Sequence, residues 1–230
     1  MSSNKNKQEI TASGDKELAI ATGCGGPLIS DSDASDFSLP SLHLFQDVGN
    51  ESDQYGDHAK GTWVNSLTGE VVDVSQGIIP VTAQKNVVVW YHRDSGQSGI
   101  VGMFDSRKDV PSEMVAGQGT EVDIVEYVNL IAIAVSDPEL PFVIRHKSSG
   151  LTAVRMLNTL EAGRSRAGRG PGLYELKSKL KSNDKGKWYV PMYVPKGDPD
   201  ESMIVLAKDF HSMFAHKTIA APESEHPAPF

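Results

Sequence analysis

The chain has 230 residues, of which 39% are hydrophobic and 23% charged, with a formal net charge of −8. The length and the hydrophobic fraction are sufficient for one sizeable core, and the net charge excludes a strongly basic protein. No apolar run approaches the roughly 18 residues of a membrane-spanning helix, and the opening MSSNKNKQEITASGD lacks the apolar core of a signal peptide, so no membrane partner is predicted. The single cysteine, Cys24, excludes an intramolecular disulfide and has no zinc-ligand spacing, which indicates an intracellular compartment.

The two ends of the chain differ in composition from its middle. Residues 1–36 are rich in Ser, Asp, Gly, Asn and Lys, which predicts a disordered N-terminal arm. Residues 37–217 carry the long apolar runs and are predicted to form the folded domain. Residues 218–230 are predicted to be a flexible acidic C-terminal tail that ends in Pro-Phe.

A series of β-strands opens the predicted domain. After LPSLHLFQDV, the stretch GTWVNSLTGEVVDV predicts two short strands around a turn at Gly69. Residues 105–119 are mostly polar and are predicted to be a loop. The longer β-branched runs predict the remaining strands of this series: GIIPVTAQKNVVVWYHRD, IVGMFD, EVDIVEYVNLIAIAV and PFVIRHK.

Two segments have the pattern of helices. In SSGLTAVRMLNTLEAG an apolar residue recurs every third position from Leu151 to Leu160, and Gly163 is the predicted end. DPDESMIVLAKDFHSMFAHK predicts a terminal helix with Asp198 as its N-cap. Two further strands lie between these helices.

The order of these elements predicts the fold class. It is mainly β with two helices, and the main elements follow the order β-β-β-α-β-β. This order is typical of an OB-like five-stranded barrel, here with extra strands and a C-terminal helix. A generic β-sandwich is the alternative.

Basic residues are concentrated in one part of the chain. Residues 145–187 contain 11 Lys/Arg and three acidic residues, whereas the remainder contains 11 Lys/Arg and 27 acidic residues. Local charge of this kind indicates a polyanion partner better than the overall charge does. A solvated basic surface that balances acidic loops is the alternative interpretation.

Within the basic segment, LYELKSKLKSNDKGKWYVPMYV predicts a strictly alternating hairpin. If Lys181 lies opposite Lys187, the aliphatic residues and Trp188 share one face. The other face would suit single-stranded nucleic acid, because lysines follow phosphates and rings stack on bases. The alternative is a lysine-rich edge that resists aggregation. The predicted binding face comprises Lys177, Lys179, Lys181, Lys187, Tyr189 and Tyr193.

The stretch EAGRSRAGRGPG lies just before this hairpin and is predicted to be a flexible cationic loop. Arg164, Arg166 and Arg169 stand among four glycines, between the predicted helix and the fourth main strand. OB barrels use such connecting loops to grip a nucleic-acid strand. These three arginines are therefore predicted to bind nucleic acid.

No pattern in the chain predicts catalysis. There is no HExxH, no GxSxG, no dinucleotide fingerprint and no Cys/His nucleophile pair. Glu121 and Asp123 share one side of a predicted strand, but a solvated strand face explains them better than a metal does. No enzyme activity, catalytic residue, metal or cofactor is predicted.

One long block resembles a known family. GTWVNSLTGEVVDVSQGIIPVTAQKNVVVWY resembles a block of tailed-phage early-region proteins, in which a Gly-x-aromatic-x-Asn-x-x-Thr-Gly-Glu turn leads into a strand that ends in Trp. Leu151–Leu160 and NDKGKWYVP are similar to the same family, so that the resemblance covers residues 40–215. Members with an assigned role are regarded as single-stranded-DNA-binding proteins of OB-fold type, which implies a place in the host cytoplasm.

The C-terminus carries a second resemblance. ESEHPAPF is similar to the acidic tip of bacterial single-stranded-DNA-binding proteins, because Pro229 and Phe230 match its ending. Glu223 and Glu225 stand where that family has a longer aspartate run. The resemblance implies that these four residues bind replication or recombination proteins. A random proline-rich end is the alternative.

Together these features predict sequence-tolerant single-stranded-DNA binding in phage DNA replication and recombination, with partner proteins recruited by the tail. A homo-oligomer is compatible with the sequence. A phage structural or scaffold protein with no nucleic-acid role is the main alternative. A metal-dependent nuclease or an annealing recombinase is a third.

Overall fold

The computed structural model describes residues 39–46, 51–184 and 186–215. The predicted N-terminal arm and C-terminal tail lie outside these residues. The described strands are β1 (Ser41–Leu44), β2 (Trp63–Asn65), β3 (Ile78–Tyr91), β4 (Ile100–Phe104), β5 (Val122–Ala134), β6 (Asp137–Lys147), β7 (Leu173–Asn183) and β8 (Gly186–Gly197). The α-helices are α1 (Glu51–Tyr55), α2 (Ser112–Ala116), α3 (Leu151–Arg166) and α4 (Glu201–Phe214).

All eight strands belong to one curled sheet. Its order is β2-β1-β6-β5-β3-β7-β8, with β4 beside β3. Gln46, which follows β1, connects this strand to β8 at the other end of the sheet. Its side-chain amide donates to the carbonyl of Tyr189 in β8 at 2.9 Å and accepts from the Tyr189 N–H at 2.7 Å. The sheet is therefore barrel-like, and the predicted mainly-β, barrel-like class is confirmed.

The long strands β3 and β5 form the back of this barrel. They pair antiparallel along their whole length, from Ile78 opposite Ala134 to Tyr91 opposite Val122. Both are rich in β-branched residues, which favour the pleated conformation. A register shift between Pro80 and Thr82 bends β3, as bulges do in curled sheets.

The core lies on both faces of the sheet. Inside the barrel, one cluster joins Leu42, Leu130, Ile144, Leu157 and Tyr193, so that α3 packs against the interior. On the outside, α4 covers Ile131 and Ile133 with Phe210 and Phe214. Burial of each phenylalanine contributes about 2–3 kcal/mol. β5 is therefore buried on both faces, which explains its unbroken apolar run.

The predicted helix count is too low. The two long helices are present, but α1 and α2, of five residues each, were not predicted. α2 lies within residues 105–119, which the polar composition predicts to be a loop. A five-residue helix spans little more than one turn, so its sequence shows no apolar period.

The long helices also begin and end at other residues than predicted. α3 continues past Gly163 to Arg166, because the terminating glycine is Gly168, with φ +68°. The Gly168 N–H donates to the Ser165 carbonyl and the Arg169 N–H to the Arg164 carbonyl, both at 3.0 Å, which is the Schellman motif. α4 begins at Glu201, so Asp198 is not its N-cap.

Candidate nucleic-acid interface

The β7–β8 hairpin has a different register from the predicted one. Lys181 lies opposite Trp188, and Lys187 lies opposite Ser182. Residues directly opposite each other on antiparallel strands share a face, so a slip of one residue moves the whole set of β8 side chains to the other face. The prediction that Tyr189, Tyr193 and Lys187 accompany the other three lysines is therefore wrong.

Tyr193 is part of the barrel core. It lies opposite Leu176, it is 8% exposed, and its hydroxyl is 2.8 Å from Nε2 of the buried His146. Burial raises the pKa of Tyr193 well above its ordinary value. A base cannot stack on this ring without opening the barrel, so the predicted stacking role of Tyr193 is wrong.

Tyr189 also faces the barrel side of the hairpin. Its ring packs on Gly61, where a Cβ would lie 2.7 Å from two ring carbons. Gly61 has φ +86°, so both its backbone and this contact require glycine. Tyr189 is half-buried and joins the interior cluster. Its ring is therefore a packing element at the barrel closure.

Three lysines remain together on the outer face of the hairpin. Lys177, Lys179 and Lys181 alternate along β7, and alternate residues of a strand are about 7 Å apart. Lys177 pairs with Glu175 on the same face at 2.9 Å. Lys179 and Lys181 make no ion pair with any residue that the structure describes. We call Lys177, Lys179 and Lys181 the lysine row.

Trp188 is the aromatic residue beside the lysine row. It lies opposite Lys181, it is half-buried, and its indole N–H donates to the Ser149 hydroxyl at 3.0 Å. Sequence reasoning placed Trp188 on the aliphatic face. The sequence feature that indicates the correct face of Trp188 is the short connection between Asn183 and Gly186. The length of a hairpin loop sets the register of the two strands, and therefore the face on which each side chain lies.

Two of the three predicted loop arginines hold the fold together. Arg164 and Arg169 both bind the carboxylate of Asp198, Arg169 at 2.5 Å. Arg164 also donates to the carbonyls of Gly170 and Pro171 at 3.1 and 3.2 Å. The Arg164 and Arg169 guanidiniums hold the pKa of Asp198 below its ordinary value. The predicted flexible loop is thus an anchored helix end joined to the start of α4.

A second anchor joins the same helix to β7. Glu161 of α3 accepts from the Tyr174 hydroxyl at 2.5 Å and from the Gly172 N–H at 3.0 Å. Burial and the hydrogen bond to Glu161 raise the pKa of Tyr174. Arg166 differs from its neighbours, because it is exposed and makes no ion pair within the described ranges.

We expect Arg164→Ala and Arg166→Ala to affect different properties. Arg164→Ala should lower the free energy of unfolding by about 2 kcal/mol, because it leaves the Gly170 and Pro171 carbonyls without their donor and removes one of the two guanidiniums that bind Asp198. Arg166→Ala should change it by less than about 0.5 kcal/mol, as exposed substitutions do. Urea denaturation of both variants provides the measurement. Equal losses would contradict the assignment of Arg164 as an anchor.

Other cations of the basic segment are also paired. Glu126 of β5 binds Arg155 of α3 at 2.9 Å and Lys85 of β3 at 3.1 Å. Arg145 and Lys147 lie on β6, which leads into Ser149, the partner of Trp188. The high local charge seen in the sequence is therefore only partly available to a ligand.

A pocket of about 400 Å³ lies elsewhere, between α3 and α4. Pro80–Ala83 of β3, Leu157 and Ala207 contribute to its lining, and Arg169, Lys208 and His211 are among its polar residues. Arg169 is already bound to Asp198, and His211 Nδ1 is 2.9 Å from the Val81 carbonyl. This pocket does not include the lysine row.

The predicted partner-binding residues cannot be placed on this surface. Glu223, Glu225, Pro229 and Phe230 lie outside the described residues, as does Cys24. Among the helices that the structure describes, none combines the length and the apolar character needed to cross a bilayer. The lysine row with Trp188 is the candidate interface.

Comparison with known proteins identifies a protein family. A family model described as Pam3 phage gp34-like protein matches residues 24–220. Neither a curated protein nor a solved structure matches the chain. The match covers most of the chain, including every described strand and helix.

Proposed function

The chain belongs to the Pam3 phage gp34-like protein family, and we propose that it binds single-stranded DNA without sequence preference. The observation that carries this proposal is the lysine row of β7 with Trp188 directly opposite Lys181. It would act in the host cytoplasm on DNA exposed by replication or recombination.

The connectivity of the barrel supports an OB-type relationship. β3, β5 and β6 form an antiparallel meander, α3 connects β6 to β7, and β8 follows β7. β3 also pairs with β7, through Ile78 and Tyr174, as the first and fourth strands of such a barrel do. β1, β2 and β4 are additions to the five-strand pattern, and β1 pairs with β6. In this scheme β7–β8 is the hairpin between strands four and five, which OB folds use for nucleic acid.

Electrostatics and stacking would act together at this surface. Lys179 and Lys181 have no counter-ion among the described residues, and they stand close enough to repel each other. A phosphate backbone along the row would replace this repulsion with attraction and release condensed counterions. The indole of Trp188 offers an aromatic surface that stacks on any base, which makes the binding sequence-tolerant.

The role of Trp188 can be separated from that of the lysines. Trp188→Ala should weaken binding of single-stranded DNA by about 1–3 kcal/mol and leave its salt dependence unchanged, since the ring carries no charge. Ser149→Ala removes only the hydrogen-bond partner of the indole and should retain most of the affinity. Fluorescence anisotropy of a labelled oligonucleotide measures both. Full affinity in Trp188→Ala would remove the stacking role.

The proposal as a whole is tested by titrating labelled oligo-dT with the full chain at several salt concentrations. We expect tight binding that weakens with salt and resists competition by duplex DNA. A second titration uses a chain truncated after residue 217, so that the acidic tail cannot compete for the lysines. Absence of binding by both chains at low salt would overturn the proposal and favour a phage structural or scaffold protein.

We also propose that the tail recruits replication or recombination proteins. The Phe230 ring suits an apolar pocket with a basic rim, and Glu223 and Glu225 carry the negative charge that such a rim would attract. Pull-down of purified replication proteins with the full chain and with the truncated chain tests this point. Equal capture by both chains would refute it.

A further inference from the structure

The pocket between α3 and α4 lies where the wall of the barrel is open. β3 pairs with β7 at Ile78 and with β4 from Val87 onward, and between these points one of its edges has no strand partner among the described residues. Pro80–Ala83 lie in this gap and contribute to the pocket lining. The pocket has a volume of about 400 Å³, within the range of about 300–1,000 Å³ that is usual for small-molecule sites. We call it the α3–α4 pocket.

The floor of the α3–α4 pocket is apolar. Leu130, Val154 and Leu157 line it, and they belong to the cluster inside the barrel. Ala207 lines it from α4 and belongs to the cluster on the outer face of the sheet. An apolar group in this pocket would therefore contact both clusters and would lose its own contact with water. Removal of apolar surface from water favours binding, so the floor selects for a ligand with an apolar body.

Positive charge lies on the side of the pocket that α4 forms. The loop after α3 approaches this helix closely, since a Cβ at Gly170 would lie 3.2 Å from a methyl carbon of Ile204. Lys208 follows Ile204 by four residues, so the two side chains lie on the same face of α4. Arg169, next to Gly170, and Lys208 both line the pocket. The two cations therefore belong to the same side of the pocket.

Both cations can bind a further anionic group. Lys208 is exposed and makes no ion pair with any residue that the structure describes. Arg169 binds Asp198 through Nη2, and within the described ranges its other guanidinium nitrogens make no hydrogen bond. A guanidinium has five N–H donors, so a single contact with a carboxylate does not exhaust it.

The acidic residue of the lining, Glu161, determines where an anion can lie. It belongs to α3, and its Oε1 already accepts hydrogen bonds from the Gly172 N–H and the Tyr174 hydroxyl. A second carboxylate beside Glu161 would be repelled. The anionic group of a ligand is therefore expected on the α4 side, beside Lys208, with the apolar body pointing toward Leu157.

We propose that the α3–α4 pocket binds a small amphiphile with one negative charge on an apolar body, such as a medium-chain carboxylate. Lys208 and the remaining donors of Arg169 hold the charged group, and the body lies on the floor between Leu157 and Ala207. A monoanion fits better than a dianionic phosphate, because a second negative charge would lie in the pocket without a second unpaired cation. The lysine row takes no part, so this inference does not depend on the proposed DNA binding.

The fluorescent probe anilinonaphthalene sulfonate has the required chemistry, because it joins aromatic rings to a single sulfonate. Titration of the full chain should give saturable binding at one site, with a rise in fluorescence as the probe leaves water. Octanoate should displace the probe, and octanol, which has the same apolar body without the charge, should need an about ten-fold higher concentration. Absence of saturable binding, or equal displacement by the two compounds, would overturn the proposal.

The charged side of the pocket is tested by Lys208→Gln. We expect this variant to bind octanoate about five- to ten-fold more weakly, because it removes the unpaired cation and keeps a side chain of similar size. The matched control is Lys108→Gln, since Lys108 is also exposed but does not line the pocket. Its affinity should equal that of the wild-type chain. If the two variants bind octanoate equally well, Lys208 does not hold the anion and the proposal fails.

The apolar floor is tested by Ala207→Leu, which fills part of the pocket with a larger side chain. Its affinity for the probe should fall at least about ten-fold. Thermal unfolding establishes that the variant is folded, and the Lys208 comparison does not depend on it. Met156→Ser is the control for non-specific binding, because Met156 is 64% exposed on α3 and does not line the pocket. Unchanged binding by folded Ala207→Leu, or loss of binding in Met156→Ser, would place the probe outside the pocket and refute the assignment.

Discussion

Replacing Lys177, Lys179 and Lys181 together by alanine is expected to reduce the slope of log K against log salt by about 2 for single-stranded DNA. Each phosphate contact on a single strand releases about 0.7 counterion, and three contacts are removed. If the wild-type chain contacts four to six phosphates, its slope is about −3 to −4. Anisotropy titrations with oligo-dT over a range of salt concentrations measure both slopes.

The matched control for this experiment is Lys187→Ala. Lys187 belongs to the same hairpin and carries the same charge, but the register places it on the face opposite the lysine row. Its removal should reduce the slope by less than removal of Lys179 alone. A larger effect from Lys187 would show that DNA follows the other face, and an unchanged slope in the triple variant would exclude the hairpin.

The single substitutions within the row should also differ. Lys177 already pairs with Glu175 at 2.9 Å, whereas Lys179 has no ion-pair partner in the described ranges. Lys177→Ala should therefore weaken DNA binding less than Lys179→Ala does. Glu175→Gln should strengthen binding, because it frees Lys177 for a phosphate.

The second large effect concerns stability in mild acid and arises from His146. This side chain is 1% exposed, and among the described residues its Nδ1 has no hydrogen-bond partner. Burial lowers the pKa of His146 from 6.5 to about 4. The neutral ring is therefore the form that fits inside the barrel.

The sign of the pH dependence follows from proton uptake by the two states. Above pH 6.5 the ring is neutral in both, so it contributes no pH dependence. Between pH 6.5 and about 4 only the unfolded chain binds the proton, so the folded state loses stability as the pH falls. The pKa difference corresponds to a loss of about 3 kcal/mol over this window. Below both pKa values the contribution is constant.

We expect His146→Gln to lack this component of the pH dependence. Urea denaturation across the window, for the wild-type chain and the variant, separates it from the carboxylates, which titrate in both. Tyr193→Phe is the matched control, because it removes the hydroxyl near His146 and keeps the buried imidazole. Its pH dependence should resemble that of the wild-type chain. If His146→Gln retains the full wild-type dependence, another group is responsible.

Patterns within short stretches of the sequence were sufficient to predict the main strands and the two long helices. The β-branched run around Val87–Trp90 predicts β3, the recurrence of apolar residues predicts α3, and the N-cap pattern at the start of DPDESMIVLAKDFHSMFAHK predicts α4. These elements are recognisable because each signal lies within a dozen consecutive residues. The Schellman end of α3 shows the limit, since several glycines near Gly168 qualify equally from sequence.

The alternation of residues in β8 did not decide which face of the β7–β8 hairpin is buried. Both sets of alternate residues in β8 contain apolar side chains, so either Trp188 or Tyr193 could face inward. Contact with His146, a residue of β6, places Tyr193 inside. That contact joins residues that are 47 positions apart.

The amino-acid sequence thus indicates the long strands and the two long helices, and where the positive charge is concentrated. Which of those charges can meet a ligand depends on tertiary contacts. Asp198 binds Arg164 and Arg169, which lie 34 and 29 residues away in the sequence, whereas Lys179 and Lys181 have no ion-pair partner among the described residues. The physical reason is that periodicity is a local property of the chain, whereas strand register and ion pairing depend on residues brought together by folding.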